Sequence, residues 1–539
     1  PFKGSFDGNG KHISNYKLHN IKYSGLFGYV ENGNIQDLEL SDVTGAMNNT
    51  EYHGVLAGYV LGTTIDEITI TNCEISSNKQ YLGTLVGYME QSAASHIYLE
   101  SNTLTGTSNV GGVAGYGNVL QLENVEVNNG VITASGSSVG GVCGATATHS
   151  SQFKYVTVNN IEIEATGVGT TNIAGICGSS TSATFSYVVV NGGTINAENC
   201  DIVGGITGTG NCLNLSYSSN SATVIGRNRV SGIFAQQVSC NPTLSYVTNT
   251  GDVYGRNYVS GIFSYEGLST RFIQVQNCVN SGNITGEDYV GGIRAKGYYI
   301  TDKGTHDCVN TGDVTGNRYV GGIVGYNESG AYNCLNAGRV KGNQYVGGIV
   351  GQQKQHSGAT NKTNQCLSVG QVYGEEYVGN VVGDYEVATV TNCYYDKQMS
   401  PNNKGVGTTG EDITGIAEGV MTNNILNTGI QSGLGSGFTY SSGLYPRPKT
   451  IKDSIGAIVA ATPVVLADTV TAYTIPGSQG YAVTPSTANS VVWNQMAGHT
   501  NFFWQSPSFK AQRAGMTVLT ASRGQFAKNI DFVVGVSSE

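Results

Sequence analysis

Over the first 400 residues the apolar positions follow neither a helical period nor one long alternation. They come as short aliphatic bursts set among glycines, and the bursts recur. The clearest are YVGGIVGY from Tyr319, YVGGIVGQ from Tyr345 and YVGNVVGD from Tyr377, with YSGLFGY from Tyr23 near the start. Aligned on the second glycine, thirteen anchors run from Gly25 through Val55, Thr84 and Gly112 to Asn380, at steps of 26 to 34 residues. A period near 30 marks a repeat architecture, with the length drift placed in turns.

Each column of the alignment implies a direction. One residue past the anchor every unit carries an aliphatic, from Leu26 to Val381, which marks the core. The next column runs from Phe27 through Cys143, Cys177, Thr207 and Arg294 to Val382. It is expected to face outward, because strand side chains alternate and the column accepts Arg294 and Thr207. Val320 and its equivalents, two residues before the anchor, have the opposite parity to Ile323. The Gly-Gly pair is expected to bend the chain so that Val320 and Ile323 both face inward. Three residues past the anchor nothing exceeds Ala or Ser, so another wall must come close.

Between anchors lies a second motif, NCVNSGNITG from Asn277, DCVNTGDVTG from Asp307 and NCLNAGRVKG from Asn333. It reads as strand, glycine turn, strand. It stacks Cys278, Cys308, Cys334, Cys366 and Cys393 in one column, and Asn280, Asn310 and Asn336 in another. The predicted fold is all-β: a parallel β-solenoid, or β-helix, of about 13 coils with about three strands per coil. A single coil buries too little to fold alone, so coils must stack and the ends must be capped.

These motifs resemble the GLUG-repeat family of bacterial surface and secreted proteins, which includes adhesins and the non-catalytic part of some IgA-cleaving peptidases. The opening FKGSFDGNGKHISNYKL from Phe2 is similar to the family's lead-in, and CYYDKQMS from Cys393 with GLYPRPK from Gly443 to its exit. The resemblance covers about 1–450 and implies a secreted or cell-surface protein with adhesive function, without naming a ligand. Domains are expected at 1–400 for the solenoid, 401–450 for its C-terminal cap and linker, and 451–539 for a second domain. That last region holds Trp493 and Trp504 and short runs such as AYTIP, YAVTP, SVVWNQM and NIDFVVGV between Gly, Pro and Ser turns, which predict a β-sandwich. Its ending is similar to the last hairpin of bacterial Ig-like domains.

Composition narrows the function classes. Charged residues make up 12%, and Asp plus Glu at 37 exceed Lys plus Arg at 27, so a phosphate-binding surface lacks its electrostatic basis and nucleic acid is not an expected partner. No apolar run reaches 18 residues, so the chain is not expected to span a membrane. It starts at Pro1 rather than at a methionine, and any signal peptide or anchor is expected to lie outside it. The 11 cysteines form no CxxC pair and no Cys/His metal spacing. The Cys278 column is expected to hold free thiols acting as small buried hydrophobes. Cys143 and Cys177, in the outward column of consecutive coils, are the pair better placed to be bridged.

No HExxH, GxSxG, P-loop, EF-hand or GGxGxD calcium repeat is present, and no metal, cofactor or catalytic residue is expected. The carboxylate pairs Glu287/Asp288, Glu375/Glu376 and Asp384/Glu386 are read as solvated turn charge, since adjacent strand residues face apart and none is expected beside an Arg of the adjoining coil. The strongest binding signal is one column of tyrosines, Tyr258, Tyr289, Tyr319, Tyr345 and Tyr377, placed to face outward. Such a stripe suits a host or bacterial surface glycan or protein, or it only stabilises the stack as an aromatic ladder. The expected function is a non-enzymatic adhesin or interaction protein. The alternatives are a polysaccharide-processing β-helix enzyme and a passive stalk presenting Trp493 and Trp504.

Overall fold

The computed structural model describes residues 1–147, 150–211, 213–266, 273–298, 304–354, 362–386, 389–397, 402–408, 417–421, 424–425, 428–441 and 444–450, and six strands beyond residue 450. The chain is nearly all β, 63% strand, and forms a parallel β-solenoid of about 12 turns. It divides into two compact units, Pro1–Val290 with Arg294–Tyr299, and Gly291–Ile293 with Ile300–Glu539. Beyond residue 450 the strands form two antiparallel sheets, Gly480–Ala482 with Ser508–Ala511 and Phe502–Gln505, and Val492–Gln495 with Gly515–Arg523 and Phe526–Val534. The AYTIP run lies outside the described residues.

Within each unit, each coil hydrogen-bonds to the next in parallel register. In the first unit the strands after the anchors stack from Phe27–Glu31 and Ala57–Leu61 to Phe263–Glu266 and Arg294–Gly297; in the second, Val324–Asn327, Val350–Lys354 and Val382–Glu386 do the same. Some coils hold the expected three strands, as in Cys143–Thr146, Ser151–Ala165 and Thr171–Ala174, while later ones are cut into five short strands, as in Thr305–His306, Val309–Asn310, Val314–Thr315, Arg318–Gly321 and Val324–Asn327. The extra breaks are corners at residues with left-handed backbone. One set lies three residues before the anchor, from Tyr52 at φ 71° to Tyr377 at φ 52°. Another lies one residue before the Cys278 column, from Asp37 at φ 54° to Asn392 at φ 51°.

The anchor bends as expected, but not through left-handed glycine. Val320 and Ile323 are both fully buried, while the left-handed residue is Tyr319 at φ 57°. The glycines are there for space: a Cβ on Gly322 would lie 2.2 Å from Gly348 O and 2.3 Å from Asn336 Cγ. The small column three residues past the anchor does face a close wall, since a Cβ on Gly351 would lie 2.7 Å from Val320 N.

The column expected outward is instead interior. Ala57, Cys143, Cys177, Thr207, Phe234, Arg294 and Val350 are all fully buried. The reason is the corner itself. Ile323 N–H and Val324 N–H both donate to Ile349 O, at 3.0 and 2.9 Å, and Ile349 and Val350 repeat this on Val381 O, at 2.8 and 3.0 Å. Two successive N–H groups pointing the same way cannot belong to an alternating strand, so the two side chains that follow both enter the core. Arg294, buried with its charge, pairs with the equally buried Glu266. Glu266 also accepts from Ile273 N at 3.1 Å and Tyr298 N at 2.9 Å.

Buried polar columns are satisfied along the stack. Asn220 Nδ2 donates to Asn249 Oδ1 at 3.0 Å and Asn249 Nδ2 to Asn280 Oδ1 at 2.8 Å; in the second unit Asn310 donates to Asn336 at 2.8 Å. Cys278, Cys308, Cys334, Cys366 and Cys393 are buried free thiols, each donating to the carbonyl two residues before it, as Cys308 does to His306 O at 3.0 Å. Cys143 and Cys177 lie in register but are also free, and face inward. Burial pushes the Cys177 thiol well above its usual value. Nine cysteines are free and Cys240 is disulfide-bonded; Cys212 lies outside the described residues.

The ends of the stack are closed by aromatics. Phe2 and Phe6 each pack on Phe27 at 5.3 Å between ring centroids. After Asn380 the anchor motif fades, yet Gly405–Gly407 still forms a partial rung: Val381 N–H donates to Gly405 O at 2.9 Å and Val382 bridges Val406. A helical turn, Gln431–Leu434, and the hairpin Phe438–Ser441/Leu444–Pro448 follow. Leu434, Phe438 and Tyr445 are buried, Tyr445 hydroxyl donates to Asp396, and Gln365 Nε2 donates to Leu434 O at 3.0 Å, so this segment packs against the last coils.

Two substitutions test this interior. Ile349→Ala is expected to cost about 2–5 kcal/mol in chemical denaturation. Arg294→Met is expected to cost about 3–5 kcal/mol by leaving Glu266 unpaired, and adding Glu266→Leu should recover most of that.

Candidate functional site

Tyrosine is concentrated at the corners, where a left-handed residue lifts its side chain out of the wall. The predicted column holds such positions: Tyr258, Tyr289, Tyr319, Tyr345 and Tyr377 have φ between 52° and 58°. Its members are brought together within each unit. Tyr258 stacks on Tyr289 at 4.8 Å in the first, and Tyr319 on Tyr345 and Tyr345 on Tyr377 at 4.9 Å in the second. Four of the five are only half-exposed, and their faces are largely given to one another. Lys296 Nζ lies 5.2 Å from the Tyr289 ring and Arg229 5.0 Å from that of Tyr265, which packs on Tyr258 at 4.8 Å. Burial raises the Tyr258 and Tyr345 hydroxyl pKa values.

A similar corner near the start holds Tyr23, Tyr52 and Tyr81 interleaved with Tyr29, Tyr59, Tyr88 and Tyr116, with neighbouring centroids as close as 5.0 Å. Tyr59 hydroxyl donates to Glu90. Burial pushes the Tyr88 hydroxyl up to about 12.

The most exposed aromatic array lies elsewhere. Tyr155, Tyr187, Tyr217 and Tyr246 occupy the second left-handed column, at φ 50° to 55°. They are 46%, 45%, 50% and 41% exposed. Their rings stack at 5.1, 5.2 and 5.0 Å, with planes 25°, 9° and 3° apart. Beside them run in-register polar residues, Ser186, Ser216 and Ser245 on one side and Ser219 and Thr248 on the other. Lys154 Nζ, held by Glu123 at 2.7 Å, lies 5.0 Å from the Tyr155 ring and caps that end. The array is therefore a flat, weakly charged wall with an aromatic spine. Its signal was present in FKYVTV, FSYVVV, LSYSSN and LSYVTN, but it emerges only when the coils are aligned on the second motif.

The carboxylate pairs have varied surroundings. Contrary to the sequence expectation, Glu287 lies beside an Arg of the adjoining coil: Arg256 bonds it at 3.2 and 3.5 Å. Asp384 accepts from Gln352 at 2.7 Å and Thr408 at 2.9 Å, and Glu386 pairs with Lys354 at 2.8 Å. Glu375 and Glu376 line a cleft of about 730 Å³ with Tyr373, Tyr377, Asn402 and Lys404. Among the described residues no group of three or more His, Cys, Asp or Glu side chains could hold a metal ion. No helix there is long and apolar enough to cross a membrane. Trp493 and Trp504 lie on strands Val492–Gln495 and Phe502–Gln505, whose side chains are outside the description.

Whether the exposed ladder is structural or a surface for binding is separable by stability. Tyr187→Ala and Tyr217→Ala are each expected to cost no more than about 1 kcal/mol, whereas Phe153→Ala should cost about 3–5 kcal/mol in the same thermal melts. Phe153 is buried on the opposite face, stacked on Phe185 at 4.6 Å. Comparison of the chain with protein-family models, with curated proteins and with solved structures gave no match.

Proposed function

We propose that the chain is an extracellular, non-catalytic adhesive protein that binds a surface glycan or protein through the tyrosine wall of Tyr155, Tyr187, Tyr217 and Tyr246. The observation that carries this reading is the exposure of four stacked rings at a constant spacing of 5.0 to 5.2 Å amid Ser and Thr side chains. Exposed, rigidly held tyrosines give large contact area at little cost in conformational entropy. A partner that repeats along its own length gains the same contact at every coil. Two further features support an exported protein: the GLUG-like motifs, and the Cys240 disulfide, a bond that persists in oxidising compartments.

One observation favours a second reading. The cleft that holds Glu375 and Glu376 also holds Lys404, so paired carboxylates, the pair that glycoside hydrolysis uses, meet a basic side chain there. Release of reducing ends from polysaccharides, abolished by Glu375→Gln, would identify that activity.

The adhesive reading is tested by applying the intact chain to arrays of glycans and matrix proteins. Binding is expected, with at least about a tenfold loss when Tyr187 and Tyr217 are both replaced by alanine. An intact chain that binds nothing on the arrays overturns it.

A further inference from the structure

The stack of the second unit ends unevenly. Strand Val372–Tyr373 pairs with Val340–Lys341, and Glu376–Gly379 with Gln344–Gly347. Among the described residues no strand pairs with their other side. The next rung returns only past this corner, where Asn380 N–H donates to Lys404 O at 2.8 Å. The stretch 372–378 thus forms one wall of the 730 Å³ cleft, and Asn402, Lys404 and Gly407 form the other. That volume falls among those of small-molecule sites, about 300–1,000 Å³.

Tyr377 is the last tyrosine of its column. One face lies on Tyr345, 4.9 Å away with planes 12° apart, while Tyr377 borders the cleft and is 36% exposed. A tyrosine inside a ladder has neighbours on both faces; among the described residues the terminal one stacks on Tyr345 alone and has a face to spare. Tyr373, 37% exposed, adds a second ring to the lining. Around them stand acceptors, the carboxylates of Glu375 and Glu376, and a donor, the Lys404 ammonium. Gln344 Nε2 holds the Glu376 carboxylate at 2.8 Å.

We propose that this cleft binds a neutral saccharide of one to three rings, stacked on the free face of Tyr377 and hydrogen-bonded by Glu375, Glu376 and Lys404. A pyranose has an apolar C–H face that suits an aromatic ring and a rim of hydroxyls that both donate and accept. An apolar ligand would leave the two carboxylates and the ammonium unpaired. An anionic ligand would meet two negative charges against one positive. The site rests on the reading of the chain as a binding protein, and uses residues other than those of the Tyr155–Tyr246 wall.

The test is calorimetric titration of the intact chain with neutral trisaccharides of glucose, mannose, galactose and N-acetylglucosamine. At least one is expected to bind. Tyr377→Ala should weaken it at least about tenfold, while Tyr377→Phe, which keeps the face, should stay within about twofold. Lys404→Ala should weaken it severalfold, and Thr315→Ala, exposed and outside the cleft, should leave it unchanged. If Tyr377→Ala lowers the melting temperature, the affinity of Lys404→Ala decides instead. The proposal is overturned if no trisaccharide binds at millimolar concentration, or if binding survives intact in a Tyr377→Ala variant that melts like the parent. That second outcome leaves the adhesive reading standing, because adhesion is read on the arrays. Tyr377-dependent trisaccharide binding by a chain silent on the arrays does the reverse.

Discussion

The structure depends on parallel hydrogen bonding between a coil and the copy of itself one turn further along. Each N–H and C=O that points along the stack must find its counterpart at the same place in the next coil, so every corner has to be made the same way each time. Left-handed residues recur at fixed columns for that reason, and residue identity there is secondary to backbone direction. Tyr, Asn, Ser, Ile and Arg all occupy the column three residues before the anchor, as Tyr52, Asn109, Ser138, Ile202 and Arg229 show.

Shared columns set the terms on which polar groups enter the interior. An asparagine works because its amide both donates and accepts, so Asn220, Asn249 and Asn280 satisfy one another along the stack. Arginine has donors only, and Arg294 is tolerated because Glu266, on the strand that pairs with its own, is buried with it. The same stacking on the outer wall turns single tyrosines into ladders. There the faces are mutually occupied, and only the edges and the end of a column remain for a ligand.

Much of this was legible in the sequence because repetition averages out local ambiguity. The aliphatic column from Leu56 to Val381, the small column at Gly325 and Gly351, and the free thiols of the Cys278 column could be read directly. The column of Arg294 and Thr207 could not. Strand alternation does not hold across a corner, and a charged residue implies solvent only where no partner is buried with it; Glu266 lies 28 positions away in sequence. The tyrosine column at Tyr258 was found because it abuts the anchor. The more exposed one at Tyr155 was missed because Asn, Asp and Gln replace it in later coils. The partial rung at Gly405–Gly407 was missed for a similar reason, since it keeps the backbone pairing without the aliphatic signature.

The variable step between anchors has its own consequence. A coil of 26 residues and one of 34 offer the same rung to their neighbours, because the surplus is held in turns. Whole coils are therefore interchangeable modules, and gene duplication or deletion can lengthen or shorten such a stack without redesigning its interior, making its reach an evolvable quantity.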